Sequence, residues 1–251
     1  EHARLMKEAE ARLGQIGADY VGRSTLTRFE VAGMLRQAGA VFGESNETKI
    51  AALMAIFADA PRGDVVEIGV LTGRSDAVLE AMARRHATGP VLAVDPWSYA
   101  TSVQAESPQD LQEMVDVWDA KVPFETFLTQ LLPIARPGAF NYLPTTSREA
   151  HEAWVRDGVV HSPEFGETRY GRAIALLHID GNHDFAAVSE DVALWLPHLR
   201  PGGWLVLDDY LWLHGDGPRR VGDGLLASRG DITRAFVCGG ALFLKSGGAH
   251  G

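Results

Sequence analysis

From Val65 onward the chain alternates short apolar runs with helical segments, and no other feature limits its possible folds as sharply. Val65 to Ile68, Val91 to Val94, Ala139 to Leu143, Ile174 to Ile179 and Trp204 to Leu207 are the runs. Ser75 to His86, Ser147 to Arg156 and Phe185 to Leu199 are the helical segments. Strands that are apolar throughout need cover on both faces, and intervening helices supply it. The pattern therefore predicts a doubly wound α/β sheet of parallel strands. Arg234 to Leu244 departs from it, with two runs around Gly239-Gly240 and no helix between them. That is the signature of an antiparallel hairpin at one edge.

Residues 1–63 show no strand patterning. Glu8 to Leu13 are strong helix formers, and the hydroxyls of Ser24, Thr25 and Thr27 stand ready to cap a second helix. Asn46 to Phe57 has a cap, an early acid and an apolar stripe, and Pro61-Arg62-Gly63 ends it. Residues 1–63 thus read as a helical cap on a main domain at 64–246. Within that domain, 98–137 is long for a connection and contains DLQEMVDVWDAKVPFETFLTQLL, which has helical periodicity. It is expected to be a helical lid, because open α/β sheets bind ligands outside the carboxyl ends of their strands. The tail SGGAHG from Ser246 is expected to be disordered.

The strand ends carry the chemistry. LLHIDGNH closes on Asp180 with His183 three residues later, and GGWLVLDDY closes on Asp208-Asp209. Like charges at a buried strand end repel and lose hydration, so they need a function to explain them. One helix separates the two runs, and a crossover of that length sets the strands parallel and adjacent or nearly so. Three carboxylates then converge with an imidazole, a divalent-cation site with a base beside it. Oxygen ligands select Mg²⁺, Mn²⁺ or Ca²⁺ over zinc. At the first strand, Glu67 to Ser75 (EIGVLTGRS) is a strand end, a turn and a helix start, with Gly69 and Gly73 allowing close backbone approach. The spacing is not GxGxxG, and Glu67 suits a cation or an ammonium better than a phosphate, which argues against a dehydrogenase. Asp95, ending the next strand, can accept from ribose hydroxyls. His178 reads as a core histidine. Tyr210, Trp212, His214 and Arg219-Arg220 follow the acidic pair in what reads as a loop, with Tyr210 and Trp212 candidates to line an acceptor pocket.

Taken in order, E-I-G-x-x-x-G-x-S, V-D-P-W, H-I-D-G-x-H and L-R-P-G-G-W-L-V-L-D-D-Y resemble a class I S-adenosylmethionine-dependent methyltransferase. More narrowly they resemble the metal-dependent sugar O-methyltransferases of antibiotic biosynthesis, the macrocin and mycinamicin enzymes. The resemblance covers about Arg28 to Leu244 and implies a Rossmann-like fold. It implies that Glu67, Gly69 and Gly73 line the methionine moiety with Ser75 among the cofactor-binding residues, that Asp95 binds the ribose, and that Trp97 or Ser147 borders the adenine. Asp180 would serve both the cofactor and, with Asp208 and Asp209, a Mg²⁺ (or Mn²⁺ or Ca²⁺), with His183 as the catalytic base. The acceptor would be a small-molecule hydroxyl, on a sugar of a secondary metabolite or its nucleotide-linked precursor. A catechol or phenol acceptor shares the same logic, and a non-catalytic S-adenosylmethionine-binding protein is a third reading that the intact acids disfavour. By analogy, the N-terminal helices would assemble a homo-oligomer.

Bulk properties narrow the partners. A net charge of −10 disfavours nucleic acid and anionic membranes. Cys238 is the only cysteine, which excludes an internal disulfide and fits a cytoplasmic location. No run approaches about 18 apolar residues, and no secretion-signal pattern opens the sequence.

Overall fold

A computed structural model describes residues 26–102, 104 and 119–247. The expected helix at Glu8 to Leu13, most of the first half of the 98–137 insertion and the last four residues lie outside them. Seven strands form one sheet: β1 (Asp64–Ile68), β2 (Val91–Val94), β3 (Phe140–Leu143), β6 (Ile174–Ile179), β7 (Leu199–Leu207), β8 (Ile232–Cys238) and β9 (Ala241–Ser246). Their order is β3-β2-β1-β6-β7-β9-β8. The first five run parallel, and β9 pairs antiparallel with both β7 and β8. This is the expected doubly wound sheet with an antiparallel edge. Ser246, read as the start of a disordered tail, instead closes β9 and donates to the Arg200 carbonyl at 2.8 Å.

Helices α1 (Arg28–Gly39), α2 (Glu47–Ile56), α3 (Arg74–His86) and α4 (Lys121–Leu131) cover one face; α5 (Ser147–Asp157), α6 (Phe185–Trp195) and α7 (Gly217–Ser228) cover the other. Thr27 caps α1 in a reciprocal box with Glu30, and the Asn46 side chain accepts from the Lys49 amide to cap α2. Both helices share a core with Val65, Trp204 and Phe236 of the sheet, so these two helices pack as part of the main body. The loop between them leans on the cofactor-type turn: Arg74 donates to the Gly43 carbonyl at 2.7 Å, and the Thr72 hydroxyl to that of Phe42.

Two elements escaped the sequence reading. β4 (Val159–Ser162) and β5 (Gly166–Arg169) form a separate hairpin, tied to β3 by the buried Asn141 amide, which donates to the Val160 and Gly166 carbonyls. Helix α7 replaces the loop expected after the acidic pair, so Arg219 and Arg220 belong to its first turn. Its three glycines hide the helix from propensity, while Pro218 at its start favours it.

Candidate active site

Side chains alternate across a strand, and this period sorts the polar residues of the parallel strands. Val65 and Glu67, Leu176 and His178, and Trp204 and Val206 face the side covered by α1 to α4. The same alternation carries Asp180 and Asp208 to that side; the Asp208 amide still donates to the Ile179 carbonyl at 2.9 Å, so the ladder continues through it. Asp209 lies past the strand end, where its left-handed backbone (φ 51°) turns the side chain to His183. Adjacent carboxylates therefore diverge.

On the covered face lies a buried polar network. Glu67 and His178 are both 0% exposed. Glu67 Oε1 lies 2.8 Å from His178 Nδ1 and accepts from Ser75 Oγ at 2.5 Å. Asp76, equally buried on α3, lies beside Glu67; burial and the Glu67 charge push its carboxyl well above the usual range. Burial works to raise Glu67 as well, but His178, Asp76 and Ser75 outweigh it and hold Glu67 below its ordinary value. Above this network, Lys49 of α2 is 2% exposed and donates to Asp180 Oδ2 at 3.2 Å and to Asp208. Burial raises the Asp180 carboxyl, against the opposing pull of Lys49 and His178. His178 Nε2 has no hydrogen-bond partner among the described residues.

On the open side, Asp209 Oδ2 meets His183 Nε2 at 2.9 Å, and the His183 ring stands edge-on to Trp212 with centroids 4.4 Å apart. Burial acts to raise Asp209, but the His183 hydrogen bond and charge overcome it and hold the carboxylate ionised. Nδ1 of His183 is buried and has no partner among the described residues. Donor atoms of Asp180, His183 and Asp209 all lie within 4.8 Å of one another, close enough to share a cation; Glu67, His178 and Asp180 form a second such group. Asp208 faces Lys49 instead.

The turn after β1 is built for close approach. At Gly69 (φ +82°) a side chain would strike the Asp180 backbone, and at Gly73 (φ +79°) it would come within 2.6 Å of Leu131 and 2.9 Å of Phe127. Both glycines are thus required by the chain's own packing. Asp95 holds this turn: Oδ2 accepts from the Val70 and Leu71 amides at 2.8 and 2.9 Å, and Oδ1 from the Trp97 amide at 2.7 Å. Trp97 donates from Nε1 to the Leu71 carbonyl at 2.7 Å and packs against Phe124, Phe127 and Tyr142. The described part of the insertion, α4, therefore seats on the turn and on Trp97. Leu71, Trp97 and Asp209 all have left-handed backbone (φ 54°, 41° and 51°), and strain of this kind collects where a site over-determines its geometry.

Ser147 lies apart from this cluster, at the start of α5. Its hydroxyl accepts from Trp195 Nε1 at 2.9 Å and hydrogen-bonds Asp191, whose buried carboxyl is pushed up to about 6. A carboxyl raised on folding keeps its proton longer in the native state, so its ionisation erodes stability as pH climbs from about 4 to 6, and the loss persists above. Asp191→Asn is therefore expected to stabilise the protein at pH 7.5 by about 2–3 kcal/mol and to flatten the stability profile between pH 4 and 6. Urea unfolding across that range measures it.

Tyr210 turns away to donate to Asp223 at 2.6 Å, while His214 is exposed and its ring reaches Trp212. Lys49, Asp76 and His178 are the site residues that motif reading passed over or took as structural. The signals were there: a lone lysine inside the apolar stripe of α2, and a histidine inside an apolar strand.

Residues 66–210, more than half the chain, match the family model described as "Methyltransferase domain". No curated protein sequence matches. Among solved structures, the O-methyltransferase NovP superimposes with a TM-score of 0.55 at 15% identity, covering 98% of this chain and 100% of its own. TomG from Streptomyces achromogenes, an O-methyltransferase of tomaymycin synthesis solved with SAM, gives 0.53 at 14% identity over 96% of this chain and 99% of its own. MycE methyltransferase of the mycinamycin pathway, solved with Mg, SAH and mycinamycin VI, gives 0.51 at 16% identity over 88% of this chain and 56% of its own. At these identities the superpositions establish a shared fold. Among the described residues no helix is long and apolar enough to cross a membrane.

Proposed function

The chain belongs to the methyltransferase-domain family, and on that premise we propose that it is a divalent-metal-dependent O-methyltransferase. It moves the methyl group of S-adenosylmethionine to a hydroxyl of a small molecule, a sugar of a secondary metabolite or its nucleotide-linked precursor. One observation carries the reading: an Asp209–His183 pair at 2.9 Å stands beside Asp180 at the carboxyl edge of the sheet. TomG with SAM, and MycE with Mg and SAH, are similar folds that support both the donor and the metal. The sugar rests on the resemblance of the four ordered motifs to the macrocin and mycinamicin enzymes. In this reading the protein works as a cytoplasmic homo-oligomer, and α4 lids the acceptor site.

S-adenosylmethionine supplies an electrophilic methyl, and an alcohol attacks it poorly until its proton leaves. Asp209 fixes His183 by accepting from Nε2, which leaves the Nδ1 lone pair to take that proton. Trp212 holds the imidazole plane edge-on and limits water around it. Asp95 keeps the Gly69 to Gly73 turn closed against β2, where Glu67 and Ser75 brace it from beneath. Carboxylate oxygens suit a hard cation; Asp180 and Asp209 would hold it, joined by Asp208 once its oxygen is released from Lys49. When bound, the ion supplies positive charge that favours the ionised acceptor oxygen.

Transfer of labelled methyl to a panel of nucleotide sugars, glycosides and catechols tests the acceptor. Label is expected on a sugar hydroxyl; label on catechols alone would move the assignment to the arene enzymes. Calorimetry that found no S-adenosylmethionine or S-adenosylhomocysteine binding would end the whole reading.

A further inference from the structure

Lys49 stands where the acidic cluster would offer ligands to a metal. Its ammonium is 2% exposed, bonds Asp180 Oδ2 at 3.2 Å and also bonds Asp208, which is itself 7% exposed. The other Asp208 oxygen accepts from the Asp209 amide at 2.9 Å, so both oxygens of this carboxylate are engaged. The buried His178 Nε2, with no partner among the described residues, lies 3.9 and 4.0 Å from the same Asp180 and Asp208 oxygens. Two carboxylates thus face a fixed cation and an unsatisfied ring nitrogen.

The placement of Lys49 is set by the fold. Asn46, which caps α2, also donates to the Gly239 carbonyl at 2.7 Å, and a side chain at Gly239 would press on Lys49 itself at 2.7 Å. The β8–β9 turn therefore clamps the start of α2 over the ends of β6 and β7. An ammonium held there cannot drift off as a surface lysine does.

We infer that Lys49 is a resident cation of the centre, competing with the divalent ion for Asp180 and Asp208 and so setting its affinity. This rests on the metal reading given above, and Lys49 acts in it as a positioning residue that touches neither donor nor acceptor. Buried carboxylates need a positive partner in either state. Lys49 supplies it in the metal-free protein, and the ion takes over when it binds.

Mn²⁺ titration followed by electron paramagnetic resonance, on wild type and Lys49→Gln, tests this without reference to turnover. Lys49→Gln is expected to bind Mn²⁺ on the order of tenfold or more tightly. Its melting temperature in EDTA should fall by several degrees, and Mn²⁺ should raise it further than in wild type. Equal Mn²⁺ affinity in the two proteins would overturn the role of Lys49 and leave the metal reading intact. Absence of Mn²⁺ binding in both would remove the two together. Binding by the variant alone would support Lys49 as the resident cation while removing the metal requirement of the native enzyme. Lys49→Arg keeps the charge and covers the case of a variant that does not fold: it should bind Mn²⁺ no more tightly than wild type, and tighter binding would overturn the inference.

Discussion

His183→Ala is expected to slow methyl transfer by about 10²- to 10⁴-fold while leaving S-adenosylhomocysteine affinity unchanged. The range is what a positioned general base contributes when the nucleophile is a poor one. The geometry favours its upper part. Asp209 accepts from Nε2 at 2.9 Å and is held below its ordinary range by that contact, so the tautomer that leaves the lone pair on Nδ1 is the one stabilised. Trp212 fixes the ring from the side. Asp209→Asn should reproduce much of the loss, because an amide can present its N–H to Nε2 and reverse the tautomer. Single-turnover rates and calorimetry on each variant separate the effect on chemistry from the effect on binding. A His183→Ala enzyme that kept the wild-type rate would remove the base from the scheme.

His178→Ala is expected to cost about 3–5 kcal/mol of folding stability, the usual penalty for leaving a buried carboxylate without its partner. Glu67 would stay at 0% exposure with only Ser75 and Asp76 beside it. Its carboxylate is held below the ordinary range in the native state largely by His178. With that support gone, burial alone would act on it, and the carboxyl would have to take up a proton to remain inside. For a chain of this size the loss corresponds to a fall in melting temperature of roughly 10 °C. Thermal scans of His178→Ala and Glu67→Gln form the comparison: the glutamine, uncharged and still able to hydrogen-bond His178 and Ser75, should cost distinctly less.

The sheet was legible because its signal is redundant. Five apolar runs and the helices between them each demand the same covered sheet, and Gly239-Gly240 marks the hairpin independently. The short β4–β5 hairpin carries no such pattern; it exists because Asn141 supplies hydrogen bonds from a neighbouring strand. Helix α7 is held by packing on α6 and by Tyr210 bonding Asp223, which its glycine-rich sequence does not announce. In the site, motif reading found the residues at the strand ends and missed how they are shared out. Asp208 and Asp209 are neighbours in sequence, yet the left-handed backbone at Asp209 leaves one on Lys49 and turns the other to His183. Glu67 and Ser75, expected against a ligand, bond each other in the interior, and Ser147 anchors α5 to Trp195. Lys49 comes from a helix well over a hundred residues away from Asp180 in the chain, a juxtaposition that no local motif encodes.

The divalent ion is the point on which the scheme turns, and the rate of methyl transfer with and without it is the most direct measurement. The purified enzyme, assayed with labelled S-adenosylmethionine and whichever acceptor of the panel takes the label, should lose turnover in EDTA, regain it when Mg²⁺ is added in excess, and bind S-adenosylhomocysteine in both conditions. Undiminished transfer in chelator would contradict the scheme.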